Sequence, residues 1–178
     1  MSFVSKIETL VEGWFKKAPH LPVAGQKWIA NNVWWIALIG AITSGIGVLV
    51  SLGTLATVLT FLGSTVSYYA YYSVTPLYST WTIVSVIVSI LFLVLNGIVL
   101  ALAVKPLREL AHRGWTLLFI SLLLEVVSVV INAILNFSLL GFIFSIIFGA
   151  IGIAIGTYFV FEISSYFRGS VKAKHTTK

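Results

Sequence analysis

The chain contains no cysteine and no aspartate, and it has few charged residues of any kind. Its five acidic residues are all Glu, against eleven Lys and Arg. Without Cys, the chain can form no disulfides, thiolate metal sites or cysteine-linked lipid anchors. Without Asp, most metal-binding and phosphoryl-transfer sites cannot be assembled, and the three His are scattered, with no HExxH or nucleophile-elbow motif. We therefore expect no enzyme activity, no metal site and no cofactor.

Hydrophobic residues make up 59% of the chain and charged residues 9%, with a mean hydropathy of +1.06. A soluble domain has roughly half apolar and a quarter charged residues. Four apolar runs are long enough to cross a hydrocarbon core of about 30 Å as helices of about 20 residues. They cover approximately 33–53, 81–104, 115–136 and 142–161. The sequence thus predicts an all-α integral membrane protein, with a four-transmembrane-helix domain over residues 33–163.

The positive charges predict the orientation of these helices. All Lys and Arg lie before the first run, between the second and third, or after the fourth, while the connections 64–80 and 137–141 carry no charge. Positive loops stay in the cytoplasm, so both termini are predicted there, with the plasma or inner membrane as the location. This topology and contact with anionic headgroups account for the net charge of +6. No nucleic-acid partner is expected, because no basic and aromatic recognition motif is present.

The segment before the first run has two parts. Residues 1–17 are predicted to form an amphipathic helix, whose apolar face comprises Phe3, Ile7, Leu10, Val11, Trp14 and Phe15. This helix either lies in the headgroup plane or covers the cytoplasmic end of the bundle. Residues 18–32 hold two of the four prolines, and this composition predicts a linker rather than one regular helix.

The sequence also predicts where the first helix ends and where the membrane domain ends. The first apolar run continues to Gly63, which is longer than a bilayer requires. The first helix therefore either extends beyond the membrane or breaks near Gly53, leaving 54–63 at the outer surface. Residues 164–178 are predicted to be a basic cytoplasmic tail.

Polar residues in the second and third runs share one helix face. In the third run they fall within an arc of about 80° at 100° per residue: Ser121, Glu125, Ser128, Asn132 and Asn136. Ser89 and Asn96 keep one register in the second run. The loop KPLRELAHRG makes the two runs antiparallel neighbours and brings Asn96 level with residues 122–125. We therefore predict that Glu125 faces Asn96 in a polar interhelical seam.

Small residues follow one face of the first and fourth runs. The predicted packing positions are Gly40, Ser44, Gly47, Gly149, Gly152 and Gly156. In lipid, helices associate through close packing of small residues and interhelical hydrogen bonds. The seven-residue register further predicts a left-handed bundle.

The remaining charged residues are predicted at the aqueous boundary. Glu109 and Arg113 are spaced as a helical i,i+4 ion pair. Glu162 is expected to extend towards water and to meet Arg168 or Lys172. Three His are expected to be solvated or to touch headgroups: His20, His112 and His175.

A charged carboxylate at mid-span costs about 2.5–3.5 kcal/mol on insertion scales, and Glu125 therefore raises two alternatives. In the first, Glu125 is protonated and donates a hydrogen bond across the seam. The protein is then a structural, assembly or partner subunit, acting as a homo-oligomer or with another membrane protein. In the second, Glu125 is the proton or cation site of a small transporter or channel. Its ligands would be Asn96, Ser121, Ser128, Asn132 and Ser89. We favour the first.

Overall fold

A computed structural model of the chain describes residues 7, 13, 19–72, 80–135 and 139–167. These residues are mainly helical, with no strand among them. The long helices are α1 (Val23–Tyr72), α2 (Thr80–Arg108), α3 (His112–Leu135) and α4 (Leu139–Glu162). The predicted N-terminal helix, apart from Ile7 and Gly13, and the tail beyond residue 167 lie outside the described residues.

Three of these helices are suited to crossing a membrane. α1, α2 and α3 each contain an apolar stretch long enough to span the hydrocarbon core, and the apolar stretch described in α4, Ile146–Glu162, is shorter. Large aliphatic side chains point outward along the helices, including Ile46, Leu91 and Val130. Such surfaces are stable only in contact with lipid or with other apolar groups. The chain is an integral membrane protein.

α1 begins earlier than predicted. It starts at Val23, so the linker predicted over 18–32 is too long, and residues 23–32 belong to the helix. The physical reason is the position of the prolines. Pro19 and Pro22 both precede the first helical residue, where a missing backbone N–H is tolerated. The backbone N–H of Gln26 donates to the Pro22 carbonyl at 3.0 Å, which closes the first turn.

α1 also continues without interruption past Gly53. It is 50 residues long, about 75 Å at 1.5 Å per residue, so residues 54–63 extend the helix. The hydroxyls of Thr54, Thr57 and Thr60 donate to carbonyls four residues earlier, at 3.1, 2.9 and 2.8 Å. These polar groups are therefore satisfied within the helix and provide no reason for it to end.

The turn between α2 and α3 is tight. Pro106 lies inside the last turn of α2, and the helix ends in a Schellman motif with Leu110 in the left-handed conformation at φ 50°. The Ala111 and Leu110 amides donate to the carbonyls of Pro106 and Leu107 at 2.8 and 3.0 Å. The turn therefore interrupts the helix within the segment predicted to carry an i,i+4 ion pair.

The turn at Leu110 separates Glu109 from Arg113. Both are exposed, and the described part of the chain contains no ion pair between them. The predicted pairing requires four residues of continuous helix, which the left-handed Leu110 removes.

The buried core lies at one end of the helices. At this end α1 begins, α2 ends, α3 begins and α4 ends, and we call it the basic end because it carries Lys27, Lys105, Arg108 and Arg113. Its most buried side chains are Ala30, Ala103, Leu107, Trp115, Phe119, Ile163 and Phe167. Ile7 packs against the same cluster. The folded part extends to at least Phe167, further than the predicted boundary at residue 163.

Successive helices pack along their lengths, whereas α1 and α4 meet mainly at the basic end. At that end the Trp115 indole donates to the Val160 carbonyl at 2.8 Å and joins α3 to α4. Trp115 also stacks on Phe119 and meets Phe161 edge-on. The helices are therefore held together most firmly at the basic end.

Candidate functional site

Two groups of hydrogen bonds join α2 and α3 along the predicted polar seam. The Ser121 hydroxyl donates to Asn96 Oδ1 at 2.6 Å. Further from the basic end, the Ser89 hydroxyl donates to Asn132 Oδ1 at 2.8 Å. The Asn132 amide donates to the Ser128 carbonyl at 2.9 Å and to its hydroxyl oxygen at 3.3 Å. The structure thus brings Asn96, Ser121, Ser89, Ser128 and Asn132 into two interhelical clusters.

Glu125 is placed differently from the prediction. Asn96 receives its hydrogen bond from Ser121, one helical turn before Glu125, and the Glu125 side chain is exposed. On the helical wheel Glu125 lies about 40° from Ser121, in the direction of Leu118 at about 60° and Leu122 at about 100°. The register of α2 against α3 therefore leaves Glu125 beside the seam.

The side of α3 that carries Glu125 faces a cavity. Leu118, Ser121 and Leu122 border a space of about 440 Å³ between α1 and α4, which we call the α1–α4 cavity. Its α1 wall includes Trp28, Ile36, Ala37 and Gly40, and its α4 wall includes Gly156, Phe159 and Ile163. Glu125 is one helical turn beyond Ser121, further from the basic end. Glu125 itself is exposed and does not line the cavity.

Most of the small residues singled out in the sequence lie where neighbouring helices approach. A Cβ atom added at Gly40, Gly47 or Gly156 would meet a leucine side chain of the adjacent helix at 2.9, 3.3 and 2.9 Å. At Gly149 it would lie 2.5 Å from Val129. These four glycines therefore permit close helix packing.

Ser44 and Gly152 are the two remaining predicted packing positions. Ser44 is buried and faces Gly97 of α2. Gly152 differs from the prediction, because a Cβ atom there would meet nothing within 4 Å. The helical wheel accounts for this difference. Gly152 is offset by about 60° from Gly149 and about 40° from Gly156 at 100° per residue, which moves it off the contact line with α3.

Glu162 connects the end of α4 to the start of α1. Its Oε1 accepts from the Leu21 backbone N–H at 2.6 Å and from the Gln26 side chain at 2.8 Å. Its Oε2 lies 3.2 Å from His20 Nδ1. The side chain is 5% exposed, so the prediction that it extends towards water is wrong. Arg168 and Lys172, its predicted partners, lie outside the described residues.

The surroundings of Glu162 determine its charge state. Burial by itself raises the pKa of the carboxyl, but hydrogen bonds from His20, the Leu21 amide and Gln26, together with the nearby imidazole, lower it. The net effect is a pKa below the usual value of 4.5. Glu162 is therefore ionised at neutral pH, and its negative charge lies at the N-terminus of α1, where the helix dipole stabilises it.

Two tyrosines, one within α4 and one just after it, extend this connection. The Tyr158 hydroxyl donates to the Pro19 carbonyl at 2.6 Å, and the Tyr166 hydroxyl lies 3.4 Å from the Val23 carbonyl. Tyr158, Glu162 and Tyr166 are spaced four residues apart. Sequence reasoning missed this contact surface, although the four-residue spacing of polar side chains near the end of an apolar helix was a detectable signal.

The described histidines differ from the expectation of simple solvation. His20 has a side chain that is 64% exposed, but it contacts Glu162. The His112 ring stacks on Trp115 with centroids 5.9 Å apart, and its buried Nδ1 has no hydrogen-bond partner among the described residues. His175 lies outside them. Both His20 and His112 therefore contact other residues of this chain at the basic end.

The chemistry available to this arrangement is limited. The α2–α3 seam consists of neutral donors and acceptors that pair with one another, and Glu125 is an exposed ionisable group one helical turn beyond Ser121 in the cavity wall. Neither feature contains a nucleophile activated by a base. Comparisons of this chain with protein-family models, with curated proteins and with solved structures found no match.

Proposed function

We propose that the chain crosses the membrane four times in a left-handed bundle, with both termini in the cytoplasm and an amphipathic N-terminal helix at the cytoplasmic surface. α4 is 24 residues long, about 36 Å at 1.5 Å per residue, which supports its role as the fourth span. The clustering of Lys27, Lys105, Arg108 and Arg113 at one end supports a cytoplasmic basic end in a plasma or inner membrane. The contact of Ile7 with the core supports a helix that covers this end.

Within this topology, the protein acts as a non-enzymatic structural, assembly or partner subunit. The observation that carries this function is the pairing within the α2–α3 seam. Ser121 pairs with Asn96, and Ser89 pairs with Asn132, so the seam polar groups use their hydrogen-bonding capacity on one another. A seam of this kind fixes helix register. It offers a permeating ion few free ligands.

The length of α1 supports a partner beyond the bilayer. A span that begins near Val33 needs about 20 residues, so about 28 Å of helix after residue 53 projects past the hydrocarbon core. Leu59, in the projecting part, is 51% exposed. A second copy of this chain or another membrane protein would cover this surface, in addition to lipid and anionic headgroups at the basic end.

Proton- or cation-coupled transport is the second candidate. The observation in its favour is the exposure of Glu125 on the side of α3 that faces the α1–α4 cavity. An exposed carboxylate on this side of a membrane-spanning helix could take up and release a proton or a cation. The neighbouring Asn96, Ser121, Ser128, Asn132 and Ser89 would act only after their mutual hydrogen bonds open.

One experiment separates the two functions. Purified protein is reconstituted into liposomes with a trapped pH-sensitive dye, and wild type is compared with Glu125→Gln and with Glu109→Gln as the matched control. A subunit without transport activity gives no proton or cation flux in any variant, and Glu125→Gln leaves its thermal unfolding unchanged. Flux in wild type and Glu109→Gln that disappears in Glu125→Gln would establish transport and reject the first function.

A further inference from the structure

The α1–α4 cavity has the properties of a membrane-lipid site. Nearly all of its lining is aliphatic or aromatic, and Leu100 of α2 and Leu118 of α3 form its inner wall. Rim residues on both sides are exposed: Trp28 and Ile36 on α1 are 67% and 60% exposed, and Phe159 on α4 is 39% exposed. The cavity therefore opens sideways, between α1 and α4, into the hydrocarbon of the membrane.

The shape of the cavity decides what can occupy it. From Trp28 to Gly40 it follows α1 for about 18 Å at 1.5 Å per residue. Over this length a helix at least about 10 Å wide would occupy about 1,400 Å³. That exceeds both the cavity volume of about 440 Å³ and the atom-free space of about 1040 Å³ in and around it. The cavity is therefore too small to enclose a helix of a partner protein, whereas a flexible hydrocarbon chain can enter it.

The cavity lies within one leaflet of the bilayer. With the α1 span beginning near Val33, the cavity follows α1 from Val33 to Gly40 for about 10 Å of the roughly 15 Å of hydrocarbon in one leaflet. Its outer end lies at Trp28, an exposed aromatic residue directly after Lys27, as is common where a helix passes the headgroup level. A chain inserted along the cavity would therefore place its headgroup at the basic end.

The charge of that end selects among headgroups. Among the described residues of this end, Lys27, Lys105, Arg108 and Arg113 are exposed, against one exposed acid, Glu109. Glu162 is withdrawn from the surface and its charge is shared among three donors. The described surface of the basic end therefore carries a net positive charge, with Lys27 next to Trp28 at the outer end of the cavity, and it attracts anionic lipid.

We propose that the α1–α4 cavity binds one acyl chain of an anionic phospholipid from the leaflet at the basic end. The lipid fills the space between α1 and α4 and completes the bundle where these two helices do not touch. This site is independent of transport through Glu125, which is one helical turn further from the basic end than Ser121. A variant that loses lipid binding need not lose transport, and a variant that loses transport need not lose lipid binding.

The test uses the full chain, purified in detergent and stripped of lipid, with phosphatidylglycerol and phosphatidylcholine as probes. Binding is followed by native mass spectrometry and by the rise in unfolding temperature. We expect one saturable phosphatidylglycerol per chain and weaker binding of phosphatidylcholine. Ala37→Leu should weaken phosphatidylglycerol binding about tenfold, because the added side chain displaces about two methylene groups from the cavity. Ala56→Leu, at an exposed site on the same helix, is the matched control and should bind as wild type.

Several outcomes would overturn the proposal. These are equal binding by Ala37→Leu and Ala56→Leu, lipid adducts that do not saturate, and no preference between the two headgroups. A dimer that Ala37→Leu dissociates, without bound lipid, would identify a second copy of the chain as the occupant instead. If Ala37→Leu fails to fold, Ile36→Trp at the rim serves in its place. It should slow lipid uptake at unchanged unfolding temperature of the lipid-free protein.

Discussion

The Glu162 carboxylate, at the end of α4, accepts a 2.6 Å hydrogen bond from the backbone N–H of Leu21, just before α1. The first and last described helices are thus connected through the backbone amide of a residue that precedes α1. Glu162→Ala should lower the free energy of unfolding by about 2 kcal/mol, as expected for hydrogen bonds to a charged group. Chemical unfolding in detergent measures this, with Glu109→Ala, an exposed acid at the same end, as a control that should change little.

The stabilisation by Glu162 should depend on pH. Its pKa is lower in the folded protein than the usual value of 4.5. The folded state therefore binds the proton less tightly than the unfolded state. The contribution is complete above about pH 4.5 and is lost as the pH falls through the folded pKa. The difference in unfolding temperature between wild type and Glu162→Gln should be largest near neutral pH and should shrink in acid. A difference that grows in acid would contradict this assignment.

Gly114, at the α2–α3 turn, should not tolerate a side chain. A Cβ atom there would lie 2.6 Å from the Leu107 nitrogen and 2.8 Å from the Pro106 carbonyl carbon, and backbone atoms cannot rotate away. Gly114→Ala should therefore destabilise the protein by about 1–3 kcal/mol. Gly152→Ala is the control, because nothing lies within 4 Å of the added atom. Unfolding curves in which both variants change equally would contradict the packing described here.

Trp115 should contribute to stability through its indole N–H as well as through its ring. Trp115→Phe retains an aromatic ring but loses the 2.8 Å hydrogen bond to the buried Val160 carbonyl. We expect a loss of about 1–3 kcal/mol. Trp35→Phe is a suitable control, because Trp35 is exposed and stacks on Trp34. Thermal unfolding followed by circular dichroism measures both, and an unchanged Trp115→Phe would show that the hydrogen bond contributes nothing.

The pairing in the α2–α3 seam can be measured with double-mutant cycles. Asn96→Ala and Ser121→Ala should show a coupling energy of about 0.6 kcal/mol, the average for interhelical hydrogen bonds in membranes. Asn96→Ala and Glu125→Ala should show coupling near zero. Coupling confined to the second pair would favour the register expected from the sequence over the register in the structure.

The sequence determined the features that depend on local composition. Apolar runs at residues 33–53, 81–104 and 115–136 were sufficient to predict membrane-spanning helices, because the cost of burying backbone polar groups in lipid leaves helices as the solution for such runs. The polar positions Ser89, Asn96, Ser121 and Asn132 could also be assigned to one face, since helical periodicity alone places them there.

Only the tertiary structure decided which of these positions meet. Asn96 pairs with Ser121 rather than Glu125, in a packing in which Gly114 of α3 lies against the backbone at the end of α2. Likewise, Glu162 lies beside Leu21 through a contact between residues 141 positions apart. The local sequence pattern does not show which residues so far apart in the chain come into contact. These contacts follow from how four helices pack at the basic end and separate beyond it, which leaves the cavity between α1 and α4 open.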